Sequence, residues 1–92
     1  MDVRLKRIRF RAWHRGFVEA DLILGPFVDR HGPELSADQL DRLEALMEED
    51  DHDLYAWIIG RAPTPAEFDT DVMDLIKGFR FFAHAARADG AE

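Results

Sequence analysis

The sequence predicts an all-α fold, a small single-domain bundle of about five helices, and three observations carry that prediction. Apolar residues recur at spacings of three and four along most of the chain. Two Ser/Thr-x-x-Gln/Glu signals, Ser36 to Gln39 and Thr64 to Glu67, have the form of capping boxes. No segment alternates convincingly with period two, and no Asn-Gly or Asp-Gly hairpin signal is present. With 92 residues, 47% of them hydrophobic and 34% charged, the chain has room for one domain over 1–92 and one core, but not for a deep substrate cavity.

The elements follow in order. Leu5, Ile8 and Ala12 share one face and Arg4, Arg7 and Arg11 another, so residues 3–13 are expected to form a short helix whose basic stripe meets solvent or a partner. A second helix over about 17–31 buries Ala20, Ile23, Leu24, Phe27 and Val28. Pro26 lacks an amide donor and is expected to bend or end it near Gly25, and Gly32-Pro33 closes its far end. Ser36 as N-cap, with Leu35 and Leu40 at the staple positions, opens a third helix with Leu40, Leu43, Leu46 and Met47 inward. The acids from Glu48 to Asp53 suit the positive start of a short fourth helix containing Leu54, Trp57 and Ile58 and stopped by Gly60. After Arg61-Ala62-Pro63, Thr64 as N-cap and Pro65 at the first helical position open a fifth helix through Phe68, Val72, Leu75, Ile76 and Phe79. From Ala83 the apolar stripe is lost, so the core spans about 4–83 and 84–92 read as a frayed tail.

Composition excludes several chemistries. There is no cysteine, hence no disulfide, thiolate metal site or cysteine nucleophile. His31, His52 and His84 lack zinc spacing, and the acidic run lacks the spaced ligands and central glycine of a calcium loop. No apolar run approaches the roughly 20 residues of a membrane helix, so a cytoplasmic protein without membrane insertion, monomeric when free, is expected. Charge is uneven. Residues 1–15 hold six cations against Asp2, so the remainder carries twelve more acids than bases to reach the net charge of −7. The basic arm admits a nucleic-acid-binding regulator as the alternative function, although the acidic body repels phosphates over any extended footprint. A protein partner is favoured.

The junction between the first two helices, Arg15-Gly16-Phe17-Val18-Glu19, gathers charge, glycine and aromatic residues. One reading is structural: Gly16 caps the second helix and Glu19 at the third position reaches back to it, worth about 0.5–1 kcal/mol. The other is docking: Gly16 lets a partner's backbone approach, Arg15 and Glu19 flank it with opposite charges, and Arg11, Trp13, His14 and Asp21 complete the surface. Glu19 and Asp21 stand two apart and point to different sides of a helix, which argues against a paired-carboxylate active site, and the junction suits docking better than catalysis, so no enzyme is expected. No glycine loop suited to cradling phosphates is present.

The order Arg-x-Trp-His-Arg-Gly-x-x-Glu-x-Asp-x-x-Leu-x-x-Phe from Arg11 to Phe27, followed by Leu46-Met47-Glu48-Glu49-Asp50-Asp51-His52-Asp53-Leu54-Tyr55-Ala56-Trp57-Ile58, resembles the flavinylation factors that assist assembly of succinate dehydrogenase. The resemblance covers about residues 4–77. It implies a five-helix assembly factor that binds the flavoprotein subunit of succinate dehydrogenase, and often of fumarate reductase, and promotes covalent attachment of FAD to a histidine of that subunit. It further implies that Arg15, Gly16 and Glu19 meet the client near its flavin, and that FAD belongs to the client rather than to this chain. Ala12 stands where many relatives carry serine and Val18 where a basic residue is common, so neither a hydroxyl nor an extra charge is available at those positions.

Overall fold

A computed structural model describes the backbone of residues 3–90 and the side chains of residues 3–80. Its helices are α1 (Val3–Trp13), α2 (Val18–His31), α3 (Ala37–Met47), α4 (Asp51–Ile59) and α5 (Asp71–Gly90), with 3₁₀ turns at Gly32–Glu34 and Ala66–Phe68. Among the described residues there is no strand. The side chains of the expected frayed tail lie outside the described residues, while the helical backbone itself runs on to Gly90.

α1 and α2 are antiparallel: Trp13 lies on Gly25, Arg9 pairs with Asp29, and Leu5 meets Gly32. The expected inner faces of α1, α3 and α4 form the core, joined by Ala20, Leu24, Phe27 and Val28 of α2. Ile23 is only half-buried against it. α3 starts as its sequence requires. The Gln39 amide donates to Ser36 Oγ at 3.2 Å, the Ser36 amide donates to Gln39 Oε1 at 2.9 Å, and Leu35 packs on the core beside buried Leu40. Asp50 caps α4 by accepting from the amides of His52 and Asp53, and Gly60 ends it in the left-handed region at φ +79°.

Three expectations are corrected. Pro26 does not end α2, which runs unbroken from Val18 to His31. The one carbonyl whose helical donor Pro26 removes is that of Leu22, an exposed residue. The fifth helix begins at Asp71, not at Thr64. Thr64 Oγ1 accepts from Lys77 Nζ at 3.0 Å instead of capping, Pro65 is extended, and Phe68 closes a single 3₁₀ turn that stacks its ring on Trp57 at 5.4 Å. This later start changes which residues face in. Val72, Met73, Ile76 and Phe79 are buried, and Leu75, expected in the core, sits exposed on the flank.

Candidate functional site

Residues 14–17 form the turn between α1 and α2, and Gly16 occupies it at φ +84°, a conformation L side chains rarely adopt. A Cβ added there would meet nothing within 4 Å, so the glycine is set by backbone geometry and borders open space. Because Gly16 is left-handed, the cap position falls one residue later. Phe17 is extended at φ −125°, with no side-chain cap, and its carbonyl accepts from the amides of Ala20 and Asp21 at 3.0 Å. The reading of Gly16 as N-cap with Glu19 reaching back is thereby corrected. Glu19 is exposed and bonds to nothing among the described residues. Asp21 instead reaches across the turn, where its Oδ1 accepts from the Arg15 amide at 3.2 Å.

Arg15 departs furthest from expectation. Its side chain is only 8% exposed and turns inward, away from the space beside Gly16. Nε donates to Asp51 Oδ1, Nη1 to the Met47 carbonyl at 2.8 Å, and Nη2 to the Glu49 carbonyl at 2.7 Å. The C-terminal end of α3 presents carbonyls without helical donors and the negative end of its dipole, which is where a guanidinium fork fits best. Arg11 reinforces the clamp, donating to the same Met47 carbonyl at 3.3 Å and pairing with Glu48 at 2.6 Å. Arg15 and Arg11 therefore fasten the α1–α2 turn to the α3–α4 turn. Phe17 completes the contact, with its ring edge-on to His52 at 4.6 Å and Tyr55 at 5.2 Å.

Trp13 is half-buried. Its ring lies so close to Gly25 that a Cβ there would stand 2.4 Å from Cδ2, and Nε1 donates to Asp29 Oδ2 at 3.3 Å. His14 is exposed, stacked on Phe10 with centroids 4.2 Å apart, and its Nδ1 donates to the Phe10 carbonyl at 2.7 Å. The site residues thus divide. Gly16, Glu19 and His14 border solvent, whereas Arg11, Arg15 and Asp21 hold the turn and Trp13 braces it on α2. Gly25, which the sequence reading took only as the place where Pro26 bends α2, is the small residue that lets Trp13 seat.

Most of the basic arm is neutralised from within the molecule, Lys6 and Arg7 excepted. Arg4 pairs with Asp41 and Glu44, Arg9 with Asp29, Arg11 with Glu48 and Arg15 with Asp51. Its bonds to Glu44 first, and Asp41 second, raise the Arg4 pKa above the ordinary arginine value. Cations occupied in this way are poor phosphate ligands, so the nucleic-acid alternative finds no support. Among the described residues, no group of three or more His, Asp or Glu side chains is placed to hold a metal ion, and no helix is long and apolar enough to cross a membrane.

A family model described as flavinator of succinate dehydrogenase matches residues 6–80. The FAD assembly factor SdhE of Acetobacter pasteurianus is 37% identical over 73 residues, covering 79% of this chain and 67% of that one. Succinate dehydrogenase assembly factor 2-B, mitochondrial, of Drosophila simulans is 33% identical over 79 residues, covering 84% of this chain and 51% of its own. Its 2-A counterpart in Drosophila yakuba is 33% identical over 92 residues, covering 98% and 54%. The chain therefore spans about half the length of these fly relatives. No solved structure matches. The match over residues 6–80, which takes in all of α2, α3 and α4 and the Gly16 turn, places this chain in the family of succinate dehydrogenase flavinators.

Proposed function

We propose that this protein is an assembly factor that docks on the flavoprotein subunit of succinate dehydrogenase and promotes covalent attachment of FAD to it, without turnover chemistry of its own. The observation that carries the reading is the Gly16 turn: a left-handed glycine facing open space, rigidly tied to α3 and α4, beside exposed Glu19. Such a turn accepts a partner backbone at close range, and its rigidity lowers the ordering cost of docking. Glu19 is the free charge at that surface. Arg15 is a positioning residue, acting on the client through the turn it holds.

The surface near Gly16 is open and shallow, which suits a macromolecular partner rather than a stored dinucleotide. FAD accordingly stays with the client, whose own histidine and flavin supply the reacting atoms. Holding an immature client so that those groups meet is a positioning contribution, and positioning can supply much of a barrier. The protein works in the cytoplasm as a monomer, with the fumarate reductase flavoprotein as a second client of the same turn.

The test is covalent flavin on the flavoprotein subunits, read as in-gel fluorescence after denaturation, in cells lacking the gene and in cells restored with wild type or Gly16→Arg. Fluorescence lost on deletion and recovered only with wild type is the expected result. Unchanged fluorescence on deletion overturns the reading.

A further inference from the structure

Among the described residues, five large apolar side chains remain well exposed, and four of them belong to α1 and the first turns of α2: Val3, Phe10, Val18 and Leu22. On α1, Val3 is 69% exposed and Phe10 64%, and the spacing of Val3, Lys6, Arg7, Phe10 and His14 places them along one solvent-facing strip. Phe10 is held in place. Its ring stacks on His14, whose Nδ1 is bonded to the Phe10 carbonyl, so the two rings form a fixed platform. Beside it runs an open groove of about 670 Å³ lined by Lys6, Arg9, Phe10, Trp13 and His14. Asp29 satisfies both Arg9 and the Trp13 indole, which fixes that edge of the groove. Lys6 and Arg7, unlike Arg4, Arg9, Arg11 and Arg15, have no acidic partner among the described residues.

We propose that this face of α1 is a second docking surface, and that its occupant is an acidic segment of the client flavoprotein that lays an apolar side chain on Phe10 and carboxylates on Lys6 and Arg7. The inference rests on the function proposed above, and it extends the docking surface from the Gly16 turn back along α1 toward Lys6 and Val3. Charge complementarity selects the occupant. Two unneutralised cations beside a pre-set aromatic platform attract a short acidic, apolar segment that meets this patch alone, whereas nucleic acid or an anionic membrane extends over the surrounding body, which carries the net charge of −7 and repels it. A second copy meeting this face with its own would set Lys6 and Arg7 against like charges. The platform costs the partner little ordering, because His14 has already fixed Phe10.

The experiment is the affinity of the full chain for the purified flavoprotein subunit at two salt concentrations, comparing wild type, Phe10→Ser, the Lys6→Glu/Arg7→Glu double variant and Gly16→Arg. All these side chains are exposed, and unchanged circular dichroism verifies the fold. Phe10→Ser is expected to weaken binding about tenfold, as loss of an aromatic anchor does. The charge reversal is expected to weaken it by at least as much at low salt and less at high salt. If both α1 variants bind like wild type while Gly16→Arg does not, this second surface is overturned and the Gly16 turn stands. If wild type itself fails to bind the flavoprotein, the function proposed above falls, and this surface with it. Mixed-sequence RNA or phosphatidylglycerol vesicles bound by wild type and released by the charge reversal, with flavoprotein affinity unchanged, also overturns the proposal.

Discussion

The two ends of α1 are both tied down by an arginine, yet the ties are different in kind. At the N-terminal end Arg4 reaches the carboxylates of Asp41 and Glu44 at the surface of α3. At the C-terminal end Arg15 is sunk beneath the turn, with one carboxylate and two main-chain carbonyls filling its fork. Water reaches Arg4, whose side chain is 32% exposed, so that tie contributes little; the Arg15 side chain is 8% exposed, so its partners lose more if it goes. The same residue type, in the same helix region, is an adjustable surface pair at one end and a structural pin at the other. The pinned end is the one that presents Gly16.

The contrast is sharpest under Arg15→Ala, which leaves Asp51 and the Glu49 carbonyl without this donor and the Met47 carbonyl with only the longer bond from Arg11. Urea denaturation should show a loss of about 2 kcal/mol. Arg15→Lys keeps the charge but replaces the wide planar fork with one compact ammonium that cannot span the same three sites, and should recover only part of that loss in the same assay. Next in size is Gly25→Ala, which drives a Cβ into the Trp13 ring and should cost about 1–2 kcal/mol net of its helix-propensity gain, with a shift in Trp13 fluorescence as the ring moves out. Arg4→Ala should cost much less than either at low salt and almost nothing in 1 M salt. A loss from Arg4→Ala equal to that from Arg15→Ala would break the comparison outright.

The smallest expected effect lies at the α3–α5 contact, at another exposed pair. Asp71 accepts from the Gln39 side-chain Nε2, from Arg42 and from the Val72 backbone amide, and these hold its carboxyl below the ordinary carboxylate value, with the Gln39 bond contributing most. A depressed folded-state pKa means stability that is present above the unfolded value and lost as pH falls through the folded one. Asp71→Asn should therefore leave stability near neutral pH slightly lower and flatten its decline in acid, measured as the melting temperature against pH.

Much of the fold was legible because its causes are local. Ser36 and Gln39 are three residues apart, and the stripes of α1, α3 and α4 are set by helical periodicity alone. The start of α5 was not legible, since Thr64 spends its hydroxyl on Lys77, a turn and more into the next helix, and the phase of Leu75 and Met73 followed that error. At the site, Gly16 and the exposure of Glu19 could be read from the motif. The inward turn of Arg15 could not, because its acceptors lie 32 to 36 residues further along the chain and two of them are main-chain carbonyls with no sequence signature. Trp13 on Gly25 was hidden for a similar reason: a missing side chain announces room, but not what fills it.

The Arg15 clamp also bears on how the molecule opens. Because one side chain spans both turns, the backbone at 14–17 cannot loosen without releasing the carbonyls at 47 and 49. Local unfolding should then proceed in paired steps, with the amides of the two turns exchanging their protons as one cooperative unit. A partner that seats on Gly16 would slow exchange around Asp50 and Asp51 as well, on a stretch it never touches.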